Sequence, residues 1–418
     1  MPFRSALSGI NAASEDLKVI GNNIANAGTS GFKQSRAEFA DVYAATEGGG
    51  SNSIGAGTRL AAVVQQFGQG NIAFTDNKLD LAINGRGFFI LDENGTRSYS
   101  RAGSFQVDRE GFVVNNNNQN LIVNAADETG NITGAVGPLR MDNTNIDPKS
   151  TDTIEVGLNL DGSQSAPTTA PFDPEVPNSF THSTSLTVYD SLGTAHLATT
   201  YYVKGAQPNQ WSTYLFVDGK DAKGAAQPPY TGDALQFNGS GALASINGTP
   251  VPPGIISYTN IQTETGSDPM NLDINLMSNT PVTQFGSKFN VSALSQNGFA
   301  SGRLSGFDIN EVGVIKARFS NGQSKILGQV SLADFANVQG LRPLGDTQWA
   351  ESFSSGPALV GTPGSGSLGV LQSGALEDSN VDLTGQLVDM ITAQRNFQAN
   401  AQVITTADTI TQTIINIR

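Results

Sequence analysis

Both ends of this chain carry apolar residues at helical spacing, and the pattern at the C-terminal end runs to the last residue. Near the N-terminus, Leu7, Ile10, Ala13, Leu17, Ile20 and Ile24 are three or four residues apart, which marks one helical face with coiled-coil character. The run stops in Asn22-Asn23-Ile24-Ala25-Asn26-Ala27-Gly28, where Asn and Gly can take the left-handed conformations that end a helix. At the other end Met390, Ala393, Phe397, Asn400, Ile404, Ala407, Thr411, Ile414 and Arg418 alternate at three and four, and Val403, Ile410 and Ile417 widen the face. A frayed terminus rarely keeps Ile414, Ile415 and Ile417, so something must cover them. The other faces carry little charge, with three Asp and two Arg between Val381 and Arg418. A free monomer solvates an exposed helix with interspersed charge. One reading is that the two end helices simply pair with each other and finish a core. The other is that they also pack against further copies, since a Thr-, Gln- and Asn-rich face suits packing among copies, or a channel lining that grips no passing charge. Leu7, Ile10, Leu17, Ile20, Ile24, Met390, Phe397, Val403, Ile404, Ile410, Ile414 and Ile417 are therefore the residues expected to join subunit to subunit.

The long middle reads as strand. Leu79-Asp-Leu-Ala-Ile83 alternates and meets Asn84-Gly85; Gly87-Phe-Phe-Ile-Leu91 follows, then Asn94-Gly95. Asn-Gly between apolar runs is the strongest short hairpin signal. The same texture returns at Val312–Phe319, Asn321-Gly322 and Lys325–Val330, so one β domain assembled from both sides of the chain is expected, with an insertion between them. Composition marks that insertion: residues 145–285 hold 13 acidic and 4 basic residues, 13 of the 18 prolines and both histidines. It thus carries −9 of the net −14, as a solvent-facing module can. The expected fold class is mainly β with α-helical termini.

Composition also excludes functions. An acidic chain without a basic stripe is a poor nucleic-acid binder, and no apolar stretch approaches the roughly 20 residues of a membrane span. With no Cys among 418 residues there is no disulfide, thiolate nucleophile or zinc knuckle. Residues 1–20 lack the apolar core of a secretory signal, so export without a cleaved signal peptide is the expectation. Gly364-Ser-Gly-Ser-Leu-Gly369 fits G-x-G-x-x-G, but it follows no convincing strand and reads as a flexible approach to the C-terminal helix. Ser30-Gly-Phe-Lys33 fits S-x-x-K without the companion motifs. His182 and His196, the only imidazoles, have no supporting ligands at helical spacing. No catalytic, cofactor-binding or metal site is expected.

Two end motifs carry a resemblance. Leu7-Ser-Gly-Ile-Asn-Ala-Ala-Ser14, Asn22-Asn23-Ile-Ala-Asn26 and Thr29-Ser-Gly31-Phe32-Lys33 resemble the N-terminal signature of the bacterial flagellar rod, hook and hook-associated proteins. Gly374-Ala-Leu376-Glu377-Asp-Ser379-Asn380-Val381-Asp382 and Gln394-Arg395-Asn-Phe-Gln-Ala-Asn400 resemble their C-terminal signature. Phe319-Ser-Asn-Gly322, Leu327–Asn337 and the large insertion are similar to the hook members; rod or hook-associated membership is the alternative, and a secreted β-rich adhesin or enzyme the alternative from another class. Asn115–Asn120 departs from the pattern where relatives more often turn on Gly. The resemblance implies a non-enzymatic subunit without cofactor, exported by the flagellar type III apparatus. Such subunits polymerise into the curved hollow extracellular tube that joins rod to filament and conducts exported chains. It implies as partners further copies of the chain, a distal rod protein, a hook cap and a junction protein. By analogy, residues 1–30 with 373–418 form the inner tube, and 31–72 with 358–372 a connecting segment. Residues 73–144 with 286–357 form a β-rich middle domain, and 145–285 an outer one.

Overall fold

The computed structural model describes residues 2–42, 55–127, 130–141 and 145–416. Two helices bracket a β-rich interior: α1, Pro2–Ala25, and α2, Leu383–Asn416. The chain divides into two compact units, the first comprising 1–143, 306–318 and 324–418, the second 144–305 and 319–323.

In the first unit, the main sheet sets strands from the first half of the chain between strands from the second half. Ser324–Val330 pairs with Asn120–Ala126, then come Phe88–Glu93, Thr96–Ser100, Gln348–Ala350 and Arg342–Gly345. The continuous apolar run of Phe88–Leu91 is explained by burial on both faces. Phe89 and Leu91 join a core with Leu81, Ile83, Phe105 and Leu121, while Phe88 and Ile90 pack with Tyr99, Phe335 and Trp349 on the other side. Asn94 takes φ 52° in a two-residue hairpin whose strands pair up to Glu93 and Thr96, as the sequence led one to expect. Asn84-Gly85 does not make a hairpin. Leu81–Asn84 pairs instead with Val370–Ser373 from the far half of the chain, and the Arg101 guanidinium holds the Gly85 carbonyl at 2.8 Å. In the Asn-rich turn, Asn118 takes φ 58° where a Gly would usually stand, and the Asn115 side chain accepts from the Asn117 and Gln119 N–H groups. The 364–369 glycine run is a hydrogen-bonded turn, with Gly364 N–H on the Gly369 carbonyl and Gly369 N–H on that of Arg86.

A two-stranded hairpin, β1 (Ser35–Asp41) with β2 (Thr58–Gln65), leaves the first unit's core and lies along α1. The Ser8 hydroxyl accepts from the Thr58 N–H at 3.2 Å. Isolated two-stranded hairpins are marginal in water, so α1 is what this one rests on.

The second unit is two sheets over one core. His182–Tyr189, Ala195–Lys204, Gln210–Val217, Asp233–Phe237 and Leu243–Ile246 build one; Ile255–Ile261, Met270–Asn275, Thr153–Asp161 and Thr283–Phe285 build the other. Val156 and Leu158 from the second sheet share a buried cluster with Tyr202, Trp211 and Leu215 from the first. The strand Asn290–Gln296 pairs along Thr153–Asp161, so this unit runs on through 286–305, residues that the sequence reading had placed in the middle domain. His182 stacks on Phe289 at 4.3 Å. His196 sits between Asp218 at Nδ1 and Asp190 at Nε2, the latter at 3.1 Å, and Thr265 Oγ1 donates to the same Asp190 oxygen at 2.7 Å. Each histidine thus has its own surroundings. Among the described residues no group of three or more His, Cys, Asp or Glu could hold a metal ion.

Candidate assembly site

The helices run antiparallel. Gly9 faces Asn400, and a Cβ on Gly9 would stand 2.5 Å from the Asn400 Oδ1. Fourteen residues along α1, Asn23 Nδ2 donates to Gln386 Oε1 at 2.9 Å. The buried line on α1 is Ala6, Ala13 and Ile20, seven apart, and on α2 Ala393 is 1% exposed. Small side chains at a heptad interval let the helices approach closely. The larger apolar residues flank this seam. Of those expected to join subunits, Ile20 is buried; Ile10, Leu17, Ile24, Met390 and Ile404 are half-buried. Leu7 and Ile410 are 45% and 55% exposed, and Phe397 and Val403 are also exposed. Ile414 belongs to α2, and Ile417 lies outside the described residues. The chain therefore closes a narrow seam and leaves much of its large apolar surface open.

The polar face of α2 is turned inward on itself. Thr392, Thr406, Thr409, Thr411 and Thr413 each donate their hydroxyl to the carbonyl four residues back, and Thr405 to the one three back.

A buried polar junction fixes where the helices leave the β unit. Glu377, in the short strand Ala375–Glu377, is fully enclosed. Its Oε1 accepts from Lys33 Nζ at 2.6 Å and from Gly70 N–H at 2.9 Å, and its Oε2 from Arg101 Nη1 at 3.1 Å. Lys33 also donates to the Gly68 carbonyl at 2.8 Å. Burial pulls the Lys33 ammonium and the Arg101 guanidinium down in pKa, against the opposing pull of Glu377 on each. Such a cluster persists only because each charge finds a counter-charge and carbonyl oxygens. Gly31 closes the turn beside it at φ 72°, its N–H donating to the Glu377 carbonyl at 2.7 Å. A Cβ there would meet the Ala102 nitrogen at 2.4 Å.

The motif residues are this junction's hardware. Asn23, buried, exchanges two hydrogen bonds with the Ser35 backbone. Asn26 Nδ2 closes on the Asn22 carbonyl at 2.9 Å, ending α1. The Asn380 amide bridges the Gln34 N–H and the Gln66 carbonyl. The Phe32 carbonyl accepts from the Asn380 N–H, and Ser379 Oγ from the Val381 N–H. Asp382 caps α2 through the Thr384 N–H at 3.0 Å. Leu376 lies in the strand pairing with Ile72–Phe74. Gln394 and Arg395 are instead exposed on α2, away from the junction. The sequence places Ala13, Ile20 and Ala393 on the helical faces, but Ala6 and Gly9 are not singled out there as part of the close approach. Sequence reasoning also missed Lys33 and Arg101 as partners of Glu377, which lie 344 and 276 residues away and leave no local signal.

Comparison with known proteins covers both motif ends and the insertion. The flagella basal body rod protein model matches residues 3–33 and the flagellar hook protein FlgE/F/G D1 domain 82–163. The flagellar basal body protein FlaE D2 domain matches 159–299 and the rod FlgEFG protein C-terminal model 372–417. Flagellar hook protein FlgE of Salmonella typhimurium is 39% identical over 422 residues, with 100% of both chains covered. The chain belongs to the flagellar hook protein family. Hook protein FlgE of Escherichia coli is likewise 39% identical over full length, and that of Borreliella burgdorferi 30% identical over 450 residues, covering 99% of this chain and 98% of the relative. The crystal structure of the Helicobacter pylori hook protein FlgE2 matches with a TM-score of 0.54 at 12% identity, over 73% of this chain and 100% of that one; that likeness concerns the fold.

Proposed function

We propose that this chain is the structural subunit of the flagellar hook, polymerising through α1 and α2 into a curved hollow tube that couples motor and rod to the filament and conducts exported subunits. The observation that carries the reading is the helix pair itself: a closed small-residue seam within the chain, flanked by Leu7, Phe397, Val403 and Ile410 left exposed. Fully burying one such side chain contributes roughly 1.5–3 kcal/mol, enough over several residues to hold neighbouring copies together. In this reading the helices form the inner tube, the sheet of the first unit the layer around it, and the acidic second unit the outermost layer. The chain leaves the cell through the type III apparatus without a cleaved signal. The distal rod protein, the hook cap and the junction protein are its partners at the two ends of the tube.

The test is negative-stain electron microscopy of the purified chain at high concentration in a salting-out buffer, beside a chain lacking residues 1–25 and 383–418 but keeping Glu377. Tubes from the full chain alone are expected. Tubes from both would move adhesion away from the helices. A chain carrying Ile404→Asp should stay folded in its β units and form no tubes.

A further inference from the structure

The helix pair has two unlike ends. Gly9 and Asn23 are as far apart as Gln386 and Asn400, so the register is constant and Pro2 falls level with Ala407. Residues 408–416 of α2 then run about 13 Å beyond Pro2 at ~1.5 Å per residue. At that end an open groove of about 870 Å³ is lined by Phe3, Val403, Ala407, Asp408 and Ile410. It lies beside the first turns of α1, with Phe3 on its wall, and runs on past the start of α1 to Ile410 and Thr411. Asp408 makes no ion pair among the described residues; its Oδ2 accepts only from the Gln412 side chain.

The other end of α2 carries a row with the opposite charge. Leu383, Leu387 and Ile391, each about half exposed, are followed by exposed Arg395. Spaced by four, these residues form one ridge along the helix. Arg395 also lacks an ion pair among the described residues. An apolar groove holding a lone carboxylate and an apolar ridge ending in a lone guanidinium are complementary. They follow one another along a single helix, so no copy can satisfy both with itself.

We propose that the groove of one copy seats the Leu383–Arg395 ridge of a second, with Asp408 on Arg395. The inference rests on the self-assembly reading and names the surfaces that meet. Placing Asp408 level with Arg395 of a parallel copy offsets the two by 13 residues of α2, about 20 Å along its axis, and brings Val403 of the groove beside Ile391 of the ridge. Because the two surfaces differ, the contact is heterologous and repeats without closing, which generates a filament rather than a dimer.

The test is charge reversal in the full chain: D408R, R395D and D408R/R395D, with polymer quantified by sedimentation and checked by electron microscopy. Each single reversal should raise the concentration needed for polymer about tenfold or more, on the scale of an interfacial charge pair, and the double reversal should bring it back near the unmodified value. Singles that polymerise like the unmodified chain overturn the contact, as do singles that are impaired without rescue in the double. If the unmodified chain forms no polymer, the self-assembly reading falls, and this contact with it. A second measurement exploits the absence of Cys. In I391C/V403C, mild oxidation of the polymer should give a ladder of covalent multimers, where each single variant stops at a dimer. Polymer without the ladder overturns the contact.

Discussion

Glu377 is the residue on which the junction turns, because one carboxylate answers two buried cations from distant segments. Glu377→Gln keeps the shape and removes the charge, leaving Lys33 and Arg101 enclosed without a counter-ion. The expected loss is about 3–5 kcal/mol, read as a lower denaturant midpoint for the first unit, with the second unit's transition unmoved. The two histidines make a separate prediction. Burial lowers the His196 pKa, but the hydrogen bonds to Asp218 and Asp190 outweigh it and the net shift is upward. Burial lowers that of His182, with Asp161 opposing. Two imidazole signals should therefore titrate on opposite sides of about 6.5 by NMR. Since the folded pKa of His196 is raised, its contribution to stability is full below pH ~6.5 and is lost as pH rises through the folded value; His196→Asn should remove that dependence. Glu377 could be picked out from the motif around it. Its partners could not, since a pair formed across hundreds of residues leaves no mark at either position.

At the scale of elements, local patterns foretold what local forces decide. The stripes Leu7–Ile24 and Met390–Ile410 became helices because periodicity is a property of the segment itself. Asn94-Gly95 became a hairpin because its two strands are neighbours in sequence. Asn84-Gly85 offered the same signal and failed, because Val370–Ser373 outcompeted the neighbouring strand. Within the seam between α1 and α2 the closest approach is made at small residues, Gly9 above all. Gly9→Val tests this, since its branched side chain would stand where Asn400 now lies. Overpacking of that kind costs roughly 1–3 kcal/mol, and far-UV circular dichroism should show reduced helix with the strand signal retained.

At the scale of the whole molecule, the acidic, proline-rich composition announced the second unit, but its far boundary was beyond reach of composition. Asn290–Gln296 resembles the strands around it, and only its pairing with Thr153–Asp161 assigns it. The chain enters and leaves that unit side by side, the Ile146 N–H donating to the Gly302 carbonyl at 2.8 Å and Lys149 bridging to Phe299. A short linker joining 146 to 302 should therefore leave the first unit intact and tubes still forming, with altered curvature or stiffness by electron microscopy. If no tubes form, the second unit takes part in holding copies together.

The threonines of α2 bear on traffic. A helix whose threonine hydroxyls are already satisfied by its own carbonyls offers a passing unfolded chain only the neutral amides of its Gln and Asn side chains to bind and, over most of its length, no charge to grip. In a tube lined by such helices, each encounter with the wall would be brief. Friction on the moving chain would then be set by weak, interchangeable neutral contacts rather than by ionic bonds that must be broken one after another.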